Sequence, residues 1–208
     1  MKTNWTKTHK ILTLLFAIFI ALSFSSCSFA FEVMDELLFA EVVYSNYDDY
    51  YDEDYDDSDL PQGGCPAHLA ATAFEYAKKY AAADTQYVYG AQDPLRSIRV
   101  DCSGLVIRCY GYALQNTGYR LMQSDMSSSY MYQYASIHTS SPRHGDLIFM
   151  GEENSSSITH IGIFDRFEGD QVYFIDATNR GRTDGVSERH YSRTSRKIKS
   201  YGIMKVKR

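Results

Sequence analysis

"THIGIFDRFEGDQVYFIDA", residues 159–177, consists of two runs of β-branched and aromatic residues separated by an acidic stretch with one glycine. Each run has the length of a strand and the residues between them form turns, so the stretch predicts an antiparallel hairpin. With residues 167–169 as a three-residue loop and Gly169 in the left-handed position, Arg166 pairs with Asp170 and His160 falls directly opposite Asp176. Opposed residues share one side of a sheet, which puts an imidazole beside a carboxylate. An added bulge would change the count and bring Asn179 into play. Alternation places His160 on the face opposite Ile161 and Ile163, with Gly162 on its own face. A glycine there permits close approach of another backbone, as seating a helix N-terminus beside the imidazole would require.

Outward from the hairpin, "DLIFM" (146–150) and "YGIMKVK" (201–207) have the same strand-like composition, whereas the upstream segments change period. "PAHLAATAFEYAKKYAAAD" (66–84) carries Leu69, Ala73, Phe74, Ala77 and Tyr80 at helical spacing, with Pro66 where a first turn tolerates it. "DCSGLVIRCYGYALQ" (101–115) sets Leu105, Val106, Cys109, Tyr110, Ala113 and Leu114 on one broad apolar face. Gly104 and Gly111 lower its intrinsic propensity, which suggests close packing. Helices followed by strands predict an α+β domain, its N-terminal helices packed on a central antiparallel sheet.

The second of these helices poses a chemical question, because it contains two cysteines in different settings. Asp101 is a natural N-cap, so Cys102 becomes the first helical residue, beside unpaired backbone N–H groups and the positive end of the helix dipole. A thiolate is stabilised there. Cys109 lies two turns further on the apolar face, where burial makes a thiol inert. Separated by about 10 Å along the axis, the two cannot form a disulfide. A nucleophilic thiol needs a base and a group to orient that base, and His160 and Asp176 fit these roles.

The rest of the chain bounds the setting. Of its 208 residues 44% are hydrophobic and the net charge is −5, so there is material for one core and no basic surface to suggest nucleic acid. Lys2, Lys7 and Lys10 precede the apolar run "ILTLLFAIFIAL" and small residues follow, the pattern of an export signal over residues 1–30. The run is too short to span a bilayer comfortably. Cleavage after Ala30 would give a free N-terminus, whereas "FSSC" resembles a lipobox and would place a lipid anchor on Cys27. Residues 31–64 read as an acidic Tyr/Asp-rich linker, with eight carboxylates and no cation between Tyr47 and Asp59. The folded domain is expected over 65–208. Without Cys27, three cysteines remain, Cys65, Cys102 and Cys109, an odd number that suggests at least one free thiol. No tight pair of His or Cys ligands points to a metal.

"YVYG", "DCSGLV", "HGDLIFM", "THIGIF" and "IDATNRG", in this order and at these spacings, resemble the NlpC/P60 cysteine peptidases, a papain-like group. The resemblance covers roughly 67–207. It implies hydrolysis of peptide stems of bacterial peptidoglycan, most often at the bond between D-glutamyl and a diamino acid, with no cofactor. It further implies Cys102 as nucleophile, His160 as base and Asp176 in the third polar position. Tyr87, Asp101 and Ser103 match residues that in several members bind the free amine of the stem peptide. Ala91 stands where a second glycine is usual, Asp176 where histidine is more frequent, and "GEENSSSIT" is a longer approach to the base than in many members. The expectation is an exported monomer of the cell envelope, tethered through Cys27 or released. The alternatives are an amidase or acyltransferase on another amide or lipid, and a non-catalytic wall-binding lipoprotein.

Overall fold

The computed structural model describes residues 61–95, 99–180 and 184–208. The expected export signal, Cys27 and the linker up to residue 60 lie outside the described residues. Among the described residues no helix is long and apolar enough to cross a membrane.

Three helices are described: α1 (Ala67–Ala82), α2 (Cys102–Leu114) and α3 (Ser128–Gln133). Ten strands accompany them: β1 (Gln62–Gly64), β2 (Gln86–Tyr87), β3 (Arg99–Val100), β4 (Arg120–Leu121), β5 (Ser136–Thr139), β6 (Leu147–Met150), β7 (His160–Glu168), β8 (Gln171–Thr178), β9 (Gly185–Ser192) and β10 (Ile198–Lys207). The main sheet runs β1-β10-β6-β7-β8-β9, with β4 and β5 also paired to β10, and each of these pairings is antiparallel. β2 and β3 form a separate parallel pair. Helices α1 and α2 pack on each other and on β7 and β8. The α+β fold read from the sequence is the fold observed.

The two long helices form as their periodicity dictates. In α1 the residues Leu69, Ala73, Phe74, Ala77 and Tyr80 are all buried, and Pro66 occupies the N-cap. Helix α2 goes further than an amphipathic helix, since Ile107, Gly111 and Tyr112 are buried along with the expected apolar face. It is a core helix, held by the surfaces around it more than by propensity. At Gly104 a Cβ would collide with the Ala91 carbonyl, so the close packing inferred from that glycine is real.

Gln62–Gly64, assigned from the sequence to the end of the linker, forms β1 and pairs with β10 from Gln62↔Lys207 to Gly64↔Lys205. The "HGD" stretch is a structural joint. The buried Asp146 accepts from the backbone N–H of Arg143 at 2.7 Å and from its Nη2 at 3.0 Å, while Tyr110 of α2 donates to the Gly145 carbonyl at 2.6 Å.

The hairpin forms with a different turn from the one expected. Glu168 pairs with Gln171, leaving a two-residue loop of Gly169 and Asp170 in which Gly169 has φ +56°. Glycine at the first position of a two-residue loop suits the right-handed twist of the flanking strands better than a three-residue loop does. Arg166 therefore pairs with Tyr173, not Asp170, and a bulge between Phe164 and Arg166 resets the register so that Ile163 faces Ile175. His160 is consequently not directly opposite Asp176. One step beyond Ile163↔Ile175, the residue facing Asp176 is Gly162.

Candidate active site

One face of the sheet carries Ile148, Met150, Phe164, Val172 and Phe174 as a buried apolar cluster, with Tyr191 packed against it. Each of the larger of these side chains contributes about 1.5–3 kcal/mol on burial, which fixes the strands that carry the polar residues at the edge of the cluster. Met150 pairs with His160 across β6 and β7, so the imidazole shares this face. Across β8 and β9, Phe174 pairs with Arg189 and Asp176 with Ser187, so Asp176 and Arg189 share it too. His160, Asp176 and Arg189 thus lie on a diagonal across three adjacent strands.

The diagonal is closed by hydrogen bonds. His160 Nε2 donates to Asp176 Oδ2 at 2.6 Å, and Arg189 Nη1 donates to the same oxygen at 2.8 Å. Asp176 is fully buried, and its Oδ1 has no hydrogen-bond partner among the described residues. Gly162 makes the diagonal contact possible. A Cβ there would lie 2.8 Å from the Ile175 carbonyl oxygen, 3.1 Å from Asp176 Cβ and 3.3 Å from the Phe174 ring. The glycine therefore admits the neighbouring strand β8, and not a helix N-terminus as the sequence suggested.

Cys102 also acts on the imidazole, raising the His160 pKa. Asp101 caps α2 in an extended conformation and its Oδ1 accepts from the Gly104 N–H at 2.7 Å and from the Ser103 hydroxyl at 2.8 Å. Its Oδ2 accepts from the Gly90 N–H at 2.9 Å, and its own N–H donates to the Ala91 carbonyl at 2.7 Å. Asp101 thereby ties the segment after β2 to the first turn of α2. Ala91 serves through its carbonyl, so the missing glycine costs nothing at this joint. Cys102 follows the cap as the first residue of α2 and is 7% exposed.

Burial pulls the His160 imidazole down, but hydrogen bonding to Asp176 and Cys102 outweighs it and holds the pKa at about 9. With Nε2 committed to Asp176, Nδ1 is the ring nitrogen left for the thiol. Tyr87 has its phenol raised by burial and then by the charges of Cys102 and Asp101, which brings all three residues into one neighbourhood. The other two thiols are of a different kind. Burial alone pushes Cys109 well above its ordinary value, and burial is the main cause of the rise of Cys65 to about 12. All three described cysteines are free.

A cleft of about 620 Å³ opens at this site, with Tyr87, Tyr89, His160, Asn179, Tyr191 and Lys197 on its walls. Asn179 lines the cleft, while the hydrogen-bond partner of His160 is Asp176. Among the described residues no group of three or more His, Cys, Asp or Glu side chains is placed to hold a metal ion. Chemically, the arrangement joins a thiol at a helix N-terminus to an imidazole whose far nitrogen is fixed by a carboxylate.

Sequence reasoning did not identify β9, and with it missed Arg189 and Tyr191. "GVSERHYS" is too polar to stand out as a strand, although Ser187, Arg189 and Tyr191 alternate with Val186, Glu188 and His190 at the period of two that marks one.

The family model of the NlpC/P60 family matches residues 84–200, more than half of the chain. No curated protein matches it. Among solved structures, NlpC1 from Trichomonas vaginalis is similar at 18% identity and a TM-score of 0.49, covering 65% of this chain and 44% of that one. A protein of Staphylococcus aureus described as similar to a lipoprotein of the NLP/P60 family has 24% identity and a TM-score of 0.45, covering 70% and 44%. The protein Ly7917 has 12% identity and a TM-score of 0.43, covering 67% and 63%. This chain thus spans less than half the length of the first two.

Proposed function

The chain belongs to the NlpC/P60 family, whose members are generally cell-wall peptidases, and on that premise we propose that it is a cysteine peptidase cleaving the peptide stems of bacterial peptidoglycan, at the bond between D-γ-glutamyl and a diamino acid. The observation that carries this reading is His160, held by Asp176 on Nε2 and raised in pKa by Cys102. In the first step the Cys102 thiolate attacks the amide carbonyl carbon, and the C–N bond then breaks as the His160 imidazolium gives its proton to the leaving amine. Water, deprotonated by the imidazole, attacks the thioester carbonyl and releases the acid and the thiol.

Asp101 takes the Gly104 N–H and the Asp101 carbonyl accepts from Leu105. The N–H groups of Cys102 and Ser103 at the first turn are then the donors for the developing oxyanion. Tyr87, Asp101 and Ser103 are proposed to hold the free amine of the stem, with Asp101 doing so through the one acceptor site that its contacts leave on Oδ2. The domain is proposed to work in the cell envelope after export, carried on the acidic linker and anchored through an acyl group on Cys27. No cofactor enters the reaction.

The test is mass spectrometry of peptidoglycan digested by the protein beside its Cys102→Ala variant. New D-glutamyl termini with matching free diamino acid amines, absent in the variant, support the reading. Cleavage of a different amide would make the protein an amidase, and an undigested wall would make it a binding protein. Globomycin treatment that leaves the mature mass unchanged would count against the anchor.

A further inference from the structure

We propose that Arg189 is a positioning residue of this site, holding Asp176 in the orientation that serves His160 and tempering the carboxylate's hold on the imidazole proton. The inference rests on the cysteine-peptidase reading above. One carboxylate oxygen, Oδ2, accepts from both the imidazole at 2.6 Å and the guanidinium at 2.8 Å, so cation and base compete for the same lone-pair density. An imidazole backed by a lone buried carboxylate would keep its proton firmly, to the detriment of a step in which that proton must pass to the leaving amine. A cation on the shared oxygen weakens that hold. A cation beside an imidazolium disfavours the protonated ring, which sets the direction of the effect.

The guanidinium is itself fixed. Its carbon lies 5.9 Å from the Phe174 ring centroid and 5.4 Å from that of Tyr191, and Nη2 donates to the Tyr191 hydroxyl at 2.5 Å. The side chain is 21% exposed and lines the cleft, while Asp176 is fully buried, so the pair is largely shielded from water. A planar fork presents one N–H group to the carboxylate and another to the phenol in a preset geometry, whereas a lysine ammonium keeps the charge on a flexible stem. Tyr191 also lines the cleft, so the guanidinium is linked to the surface a substrate would touch.

Among the described residues the other charged or titratable groups around the imidazole are Cys102 on α2, Asp101 at its cap, Tyr87 on β2 and Tyr191 on β9. Lys197, whose ammonium lies 5.5 Å from the Tyr191 ring centroid, and the exposed Glu152–Arg180 pair line the same cleft. Among the described residues only Arg189 shares the carboxylate oxygen that His160 uses.

The experiment compares the parent with Arg189→Met, Arg189→Lys and Tyr191→Phe, reading kcat and KM against pH on stem peptides and the ring titration of His160 by NMR. Arg189→Met is expected to move the His160 titration and the alkaline limb of kcat/KM upward by about 1 unit, and to lower kcat with little change in KM. Arg189→Lys should restore most of the parent's pH profile, and Tyr191→Phe should shift it in the same direction by less. A folded Arg189→Met with an unmoved titration overturns the inference, as does an Arg189→Lys shifted equally far. If Arg189→Met does not fold, an unmoved profile in Tyr191→Phe does the same. An inactive parent would instead overturn the peptidase reading, and the NMR titration, which needs no substrate, would still decide the role of Arg189.

Discussion

His160 and Asp176 meet along a diagonal, one strand apart and two residues out of direct register, through a single 2.6 Å hydrogen bond made possible by the missing side chain of Gly162. Gly162→Ala tests that relationship. The new methyl would press on the Ile175 carbonyl and on Asp176, so β8 must shift. The expected cost is about 1–3 kcal/mol of stability, together with a fall in hydrolysis beyond what the remaining folded fraction explains. Denaturant titration beside rate measurement separates the two, and unchanged activity per folded molecule would refute the coupling.

Asp176 is better protected against substitution than its family position suggests. Asp176→Ala should lower the rate by about 10- to 1,000-fold, through lost orientation of the base. Asp176→His, which supplies the commoner family residue, should nonetheless fail in this chain, because it leaves the Arg189 guanidinium half-buried without its carboxylate. Changing Arg189 to Leu in the same molecule should recover part of the lost stability. A fully active Asp176→His single variant would contradict this account.

The three thiols should separate by chemistry. Iodoacetamide at neutral pH is expected to modify Cys102 and leave Cys65 and Cys109 intact, since both are buried and raised. Cys109→Ala should keep its activity at a cost of about 1 kcal/mol, whereas Cys102→Ala should keep its fold and lose turnover. Peptide mapping of the alkylated protein gives the answer directly.

Asp101→Ala removes the N-cap of α2, at about 0.5–2 kcal/mol, and also frees the Gly90 N–H. Cys102 is the next residue, so activity and stability should fall together. Ser103→Ala loses only one hydrogen bond to the cap and should affect KM for stem peptides with a free amine more than it affects the melting temperature. Equal effects of the two substitutions on melting would undo the distinction.

The raised His160 also has a thermodynamic signature. Its folded pKa of about 9 lies above the ordinary value of 6.5, so the folded protein binds the extra proton and the unfolded chain does not. The associated stability is fully present below about pH 6.5 and is lost as the pH rises through about 9. Urea midpoints measured from pH 6 to 10 should decline over that window, and His160→Gln should flatten the decline.

The placing of Cys102 after its cap and the burial of Cys109 were legible because a helix start is a local signal: an acidic cap, then an apolar face with period near four. His160 and Asp176 were read from the sequence through a register that was wrong in both its parts. The two-residue turn moved the pairing by three residues and the bulge after Phe164 moved it back by one, a net slip of two. Because side chains on a strand alternate with period two, an even slip leaves every residue on its own face, and the two polar residues still met. An odd slip would have sent Asp176 to the other face. Arg189 stayed hidden because its strand is marked by pairing with β8 and hardly by its own composition.

Strand β10 lies between β1 and β6 and also pairs with β4 and β5, so among the described residues segments 62–64, 120–121 and 136–139 have β10 as their partner in the sheet, while 147–150 also pairs with β7. It follows all of them in the chain. During synthesis these strands emerge before their common partner exists, and this end of the sheet has to wait for it, whereas β6 to β9 can pair among themselves. Folding is therefore dominated by late, long-range closure, which makes it slow.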